Sequence, residues 1–331
     1  MHPDLDKWLN EVWQQRTVIF QGFTQNGRAI HAADVLEHKG VSRIYKMYTK
    51  GETTGSGASG DAAGMPEFLR DLSKLVEKRQ AACIIQDRHW HSVSADHLDH
   101  LANGGSLQFH LRGNDANANI CVKTSESIVH DFIHVRHKTN FGKPMDQRIY
   151  LNLAGDGRGG HFAAIVDAVY DHDGFRSAKV SCPGSSPRND TALLYLADEK
   201  AVTFALDRLR AFQKAKSPAF LPGLPRLTSP VDGLTGVGRG MEPPKYVVVR
   251  EGGQYYKKSS SMSFGLWRSA LIFMALDRTY WTRPGQSDSD RRDGFKRRAV
   301  KYFCAAGIDP DNPSVQTNPD NLPEYAGTGQ E

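Results

Sequence analysis

The stretch Arg148-Ile-Tyr-Leu-Asn-Leu153 constrains the fold more than any other part of the chain. Polar and aliphatic residues alternate along it, and in a strand successive side chains point to opposite faces. Arg148, Tyr150 and Asn152 therefore share one face, with Ile149, Leu151 and Leu153 on the other. An ordinary half-buried strand carries Thr, Ser, Lys or Glu on its wet face. A guanidinium, a phenol and an amide in a row look instead like a surface built to hold an anion. The same alternation recurs at Lys179 and Ser181 against Val180 and Cys182. In Thr191 to Ala197, Tyr195 lies opposite Leu194 and Leu196, and Arg188 and Asp190 lead into that strand.

These strands belong to one continuous pattern. Strand 147–153 is followed by the turn Gly155-Asp-Gly-Arg-Gly-Gly160 and then by a helix with Phe162, Ile165, Val166 and Val169 on one side. Strand 177–182, a turn containing Pro183, Gly184 and Pro187, strand 191–197 and helix 199–213 complete a β-α-β-β-α unit. Val202, Leu206, Leu209 and Phe212 face the core in that last helix. The pattern predicts an α+β fold, a single mixed-layer domain with flanking helices.

Helical spacing also runs through residues 4–20 (Leu5, Trp8, Leu9, Val12, Trp13) and Pro66 to Lys78 (Phe68, Leu69, Leu72, Leu75, Val76). Ser263 caps a helix to about Arg278 with Phe264, Trp267, Leu271 and Met274 inward, and a last helix runs from Asp293 to about Ala306, with Gly307 as its stop. Tyr246 to Arg250 and Gln254 to Lys257 form a hairpin across Glu251-Gly-Gly253. Residues 51–64 hold five glycines and read as a mobile loop; residues 218–244, with six prolines and five glycines, are a long irregular crossing. Residues 80–145 mix short strands and loops. The expected organisation is an N-terminal helical segment at 1–40, the α+β domain at 41–315 and a flexible tail at 316–331.

The 331 residues suit one large domain or two medium ones. Hydrophobic residues make up 39% and mean hydropathy is −0.51, the balance of a soluble globular chain. A net charge of +5 fits an anionic substrate and not a nucleic-acid binder, whose basic charge is concentrated in a stripe. No run of 18 apolar residues marks a membrane span, and the acidic, polar start Met1 to Asp6 is wrong for a secretory signal. Cys83, Cys121, Cys182 and Cys304 are widely spaced, as free thiols in a reducing cytoplasm would be. His89, His91, His97 and His100 tempt as metal ligands, but they lack the paired clusters of known sites, so no metal or cofactor is expected.

A wider set of motifs resembles a known family. Arg43-Ile-Tyr-Lys46-Met-Tyr48, Arg148-Ile-Tyr-Leu-Asn152, Lys179-Val180 and Arg188-Asn-Asp-Thr-Ala-Leu-Leu-Tyr195 come first. Gly236-Val-Gly238, Ser263-Phe-Gly265-Leu-Trp-Arg268 and Gly307-Ile-Asp-Pro-Asp-Asn-Pro313 follow. In this order they are similar to the HopA-type effectors of plant-pathogenic bacteria and to the relatives of those effectors in peptide natural-product gene clusters. Only about forty residues precede the first motif, where the plant effectors carry a long polar secretion region. The resemblance therefore leans to the biosynthetic relatives, with delivery into a host cell as the alternative. Those relatives work beside a kinase-like protein and eliminate phosphate from phosphoserine or phosphothreonine in a precursor peptide.

Such an elimination needs cations for a dianionic phosphate, a base for the Cα proton and an acid for the leaving oxygen. Arg148, Arg188 and Arg268 are the expected phosphate clamp, with Asn152 and Ser263 as further contacts. Lys179 is the candidate base, with Lys46 as a second phosphate contact or the base instead. Tyr150 or Tyr195 would protonate the departing group, and Asp190 would orient an arginine or Lys179. The bacterial phosphothreonine lyases carry a Lys-x-His pair in a similar strand-then-helix setting, where this chain has Arg148-Ile-Tyr150.

Plainer readings stand beside each assignment. Arg148 and Tyr150 would make an ordinary pair on an edge strand, and Lys179 an ordinary surface lysine. Arg268 would snorkel or form an ion pair, Ser263 would cap its helix, and Gly155 to Gly160 would be a plain turn, lacking the Lys-Ser/Thr ending of a phosphate loop. A non-enzymatic effector module and a phosphoesterase are the rival functions.

Overall fold

The computed structural model describes residues 1–21, 39–50, 64–86, 89–110, 120–129, 131–155, 157–184, 188–216, 219–243, 248–251, 254–257, 263–280 and 285–316. The glycine-rich loop expected at 51–64 (Gly64 apart) and the tail expected after 316 lie outside the described residues. In chain order the elements are α1 (Pro3–Gln14), α2 (Arg16–Ile19), α3 (Lys39–Lys50), α4 (Met65–Arg79), β1 (Ala82–Gln86), β2 (Trp90–Val93) and α5 (Ala95–Ala102). Next come β3 (Ser106–His110), β4 (Ile120–Thr124), β5 (Phe132–Arg136), β6 (Gln147–Leu151), α6 (Arg158–Val169), β7 (Phe175–Ser181), β8 (Ala192–Leu196) and α7 (Glu199–Ala215). The chain closes with β9 (Ser229–Pro230), β10 (Val237–Met241), β11 (Val248–Glu251), β12 (Gln254–Lys257), α8 (Phe264–Tyr280) and α9 (Asp288–Ala305). The class is α+β, and the β-α-β-β-α unit is present as β6-α6-β7-β8-α7.

The elements sort into two compact units. One comprises Met1–Gly51, Arg226–Ser229 and Gly240–Glu331; the other comprises Glu52–Pro225 and Pro230–Arg239. The first is built on helices. The apolar residues expected in α1 are all buried there: Leu5, Trp8, Leu9, Val12 and Trp13. Each contributes about 1.5–3 kcal/mol through the apolar area it removes from water. Trp13 stacks on Phe295 of α9, and its indole Nε1 donates to Asp288 at 3.2 Å. Arg226 is clamped by Asp4 and Glu11 of α1, at 3.0 and 2.6 Å. Helix α8 is buried nearly all round, well beyond the single inward face expected for it.

Helix α9 starts at Asp288, a turn before the expected Asp293, because Ser287 caps it by accepting from the Asp290 backbone N–H at 3.1 Å. Asp288 and Asp290 complement the positive end of the helix dipole. Its end is the expected one. Gly307 takes φ +72°, and Ile308 N–H reaches back to the Phe303 carbonyl at 2.8 Å, the six-to-one bond of a left-handed cap.

The second unit is built on the large sheet, in which the strands run in the order β2-β1-β5-β7-β8-β6-β10-β9. The strands from β2 to β6 in that order pair antiparallel, and their registers line up residue by residue. One face carries Ile149, Leu151, Leu194, Leu196, Ala178, Val180, Ile133, Val135, Cys83 and Ile85. These join the apolar residues of α4, α5, α6 and α7 in one buried cluster. Gly159 in the first turn of α6 sits so close to α4 that a Cβ there would lie 2.8 Å from the Phe68 Cα. That close packing gives the Gly155–Gly160 turn a structural reason for its small residues.

Caps fix the helix ends on this side. Asp198 accepts from Ala201 N–H at 2.9 Å at the start of α7. Ser94 and His97 cap each other at the start of α5, the His97 Nδ1 accepting from the Ser94 N–H. No helix among the described residues is long and apolar enough to cross a membrane.

Candidate functional site

The opposite face of the sheet is polar, and the registers place its residues in rows. In one row Tyr150, Leu193, Lys179, His134, Ile84 and Ser92 lie side by side across β6, β8, β7, β5, β1 and β2. In the next row stand Arg148, Tyr195, Ser177 and Arg136, and in a third Ser181, Phe132, Gln86 and Trp90. The face read from alternation alone, with Arg148, Tyr150, Tyr195, Lys179 and Ser181 together, is therefore continuous over the central strands.

It is not the wet surface that the alternation suggested. Arg148 is 5% exposed, Tyr150 1% and Tyr195 7%. A low-dielectric setting strengthens every charge interaction on this face. The Arg148 guanidinium stacks over the Tyr195 ring, 5.0 Å from its centroid. Lys179, half-buried, places its Nζ 4.4 Å from the centre of the Phe132 ring. Arg188 lies over the same ring at 4.5 Å, so Lys179 and Arg188 converge on Phe132. Asp190 orients Arg188 with a two-pronged ion pair, Nε–Oδ1 2.5 Å and Nη2–Oδ2 2.9 Å.

Two residues that the sequence reading passed over complete the site. His134 faces Lys179 directly across the β5–β7 pair. Its ring Nε2 is hydrogen-bonded to the Gln86 side-chain oxygen. Burial first, then the neighbouring Lys179 and Arg136 charges, hold the imidazole far below its usual pKa, so it is neutral at pH 7. The signal was present in sequence: Phe132, His134 and Arg136 alternate with Ile133 and Val135, the same period-two pattern as Arg148 to Leu153. Arg158, in the first turn of α6, is 2% exposed and donates to the Ser181 hydroxyl at 3.1 Å. Burial lowers its pKa to about 10, and the Arg188 charge adds to that depression. A phosphate dianion would relieve the strain of two guanidiniums held in one neighbourhood.

Other expected site residues have structural duties. Asn152 leaves the strand: its Nδ2 donates to the Pro222 and Gly223 carbonyls, while its backbone N–H donates to Gly236 O. It ties the 219–223 segment to the end of β6. Arg268, expected in the phosphate clamp, also holds the backbone. It is 0% exposed in the helical unit, with Nε and Nη2 both donating to the Pro313 carbonyl at 3.0 and 2.8 Å. Ser263 caps α8 by accepting from Leu266 N–H, and Lys46 is an exposed residue of α3 in the same helical unit.

The four cysteines are free, and burial pushes the Cys83 thiol up to about 12, which removes it as a nucleophile at neutral pH. Among the described residues no group of three or more His, Cys, Asp or Glu side chains is placed to hold a metal ion.

The neutral state of His134 has a thermodynamic signature. Its folded pKa lies below its unfolded value, so the unfolded chain binds the extra proton first as pH falls. Stability from this residue is complete above about pH 6.5 and is lost as pH drops toward the folded pKa, at up to ~1.4 kcal/mol per pH unit. Denaturant midpoints measured from pH 7.5 to 5 should fall in the wild type and fall less steeply in His134→Gln. Parallel slopes would show that the imidazole is not buried neutral.

The fold is that of two Pseudomonas syringae effector proteins. The effector from pv. tomato strain DC3000 superposes with a TM-score of 0.54 at 15% identity, over 95% of this chain and 96% of that one. The effector from pv. syringae strain 61 gives 0.53 at 15% identity, over 96% and 99%. No family model matches the chain, and no curated protein matches it in sequence.

Proposed function

We propose that the polar sheet face is the active site of a lyase that eliminates phosphate from phosphoserine or phosphothreonine in a peptide. The observation that carries this reading is the pairing of Lys179 with a neutral His134, flanked by Arg148, Arg158 and Arg188. Arg148 and Arg188 hold the phosphate, and Asp190 keeps Arg188 oriented. Lys179 takes the Cα proton once its ammonium has released its own proton to solvent, and the neutral imidazole of His134 stands beside it. The Cα electron pair forms the Cα–Cβ double bond, the Cβ–O bond breaks, and phosphate leaves with its electrons on oxygen. Tyr150 or Tyr195 protonates that oxygen, and the cationic cluster carries the developing charge. The product is a dehydroalanine or dehydrobutyrine residue, as the HopA-like resemblance implies for a peptide modified with a partner kinase.

The test is mass spectrometry of a phosphothreonine peptide incubated with the full chain. Elimination removes about 98 Da and hydrolysis about 80 Da, so the two chemistries separate cleanly. A loss of about 80 Da, or none from any phosphopeptide including one with a neighbouring-gene leader, sinks the lyase.

A second reading, a non-enzymatic effector module that binds a signalling protein in a host cell, has its own support. It is favoured by the likeness to the two effectors and by the burial of Arg148 and Tyr150. That module would tolerate loss of Lys179.

A further inference from the structure

We infer that Arg136, held between Trp90 and Phe141, is a subsite for a second anionic side chain of the peptide, two residues from the phosphorylated one. The inference rests on the reading that the polar face receives a phosphopeptide. Arg136 ends β5 on that face, in the row next to Lys179 and His134. Its guanidinium lies 3.8 Å from the centre of the Phe141 ring and 5.0 Å from that of Trp90. Those rings are 49% and 54% exposed, so the polar face meets solvent at this point.

Other arginines of this unit show what is missing. Arg79 pairs with Asp167 and Asp171, and Arg176 donates to the Pro144 and Asp173 carbonyls. Arg136 makes ring contacts but no hydrogen bond or ion pair among the described residues. Burial pulls its pKa below the ordinary arginine value, and no carboxylate among the described residues offsets that. Five N–H donors in a rigid fork, walled by two aromatic faces, are arranged for a planar carboxylate or a phosphate taken in two-pronged fashion. The aromatic walls already attract the cation and keep water from its faces, so the donors point at the edge.

Geometry sets the spacing. Arg136 and Lys179 are diagonal neighbours on adjacent strands, with Cα atoms roughly 7–8 Å apart. An extended peptide advances about 3.3–3.4 Å per residue and repeats its side-chain direction every second residue. A side chain two positions from the reacting one is therefore delivered to Arg136.

The test uses fluorescently labelled phosphonate peptides, in which CH2 replaces the bridging oxygen so that no elimination can occur. Glu, phosphoserine or Gln is placed two residues before or after the phosphonate, and affinity for the full chain is read by anisotropy. We expect Glu or phosphoserine to bind about five- to tenfold more tightly than Gln in one of the two positions. The preference should vanish in Arg136→Gln and shrink in Phe141→Ala, whose half-exposed ring can be cut without opening a core. Whichever anion is favoured identifies the ligand as carboxylate or second phosphate. No preference in the wild type, or one that survives both substitutions, overturns the subsite. Because binding is read without turnover, a preserved preference in a protein that eliminates nothing would reject the lyase and keep the subsite.

Discussion

Lys179→Ala is expected to slow elimination from a phosphothreonine peptide by about 10²- to 10⁴-fold, the range for a positioned general base. The Lys179 side chain is half-buried. Its contact with Phe132 is a half-buried cation–π pair worth about 0.5–1 kcal/mol, which shifts melting by a few degrees at most. Single-turnover mass spectrometry beside a melting curve separates the two effects. His134→Gln should cost less, because its amide keeps a polar partner for Gln86 but cannot serve as a neutral base beside Lys179. If Lys179→Ala retains more than a tenth of the rate, the base is not Lys179. If it retains full binding to a host protein and no elimination is ever seen in the wild type, the effector module is the better account.

Arg268→Ala is expected to act in the opposite way, on stability and not on chemistry. Two charge-assisted hydrogen bonds to the Pro313 carbonyl are lost, and so is the stacking of the guanidinium on Phe264, 3.4 Å from the ring centre. Hydrogen bonds from charged donors are worth about 1.5–3 kcal/mol each, so the variant should lose about 3–5 kcal/mol of unfolding free energy. Arg268→Lys should recover little of it, since one ammonium cannot reproduce the two-pronged contact in a fully buried site. Urea unfolding of both variants checks this. A variant of unchanged stability that binds phosphopeptides weakly would restore Arg268 to the phosphate site.

The same contrast separates what was legible in the residues from what was not. Periodicity is a local property. The alternation in Arg148 to Leu153 and Lys179 to Cys182 is enough to say which residues share a face, and Tyr150, Lys179 and Tyr195 do share one. The spacing of Leu5, Trp8, Leu9, Val12 and Trp13 likewise fixes the buried side of α1, because a helix face is defined within a few residues. Gly307 marks the end of α9 for the same reason: only its own backbone has to turn left-handed.

What the alternation could not supply was the environment of each face. Arg268 stood in the expected phosphate clamp, and the acceptor it finds at Pro313, forty-five residues on, is not legible from its own helix. Asn152 continued the polar row in sequence, but the 219–223 segment drew its amide away from that row. The neutrality of His134 depends on burial and on Gln86, forty-eight residues earlier, and the unspent guanidinium of Arg136 depends on which rings happen to flank it. By itself the sequence determined the α+β class, the β-α-β-β-α unit and the sidedness of its strands, since these follow from local dihedral preference and side-chain period. Only the tertiary structure decided which polar groups are spent on carbonyls and which stay available, because strand register and burial join residues far apart in the chain, and desolvation then sets their charge.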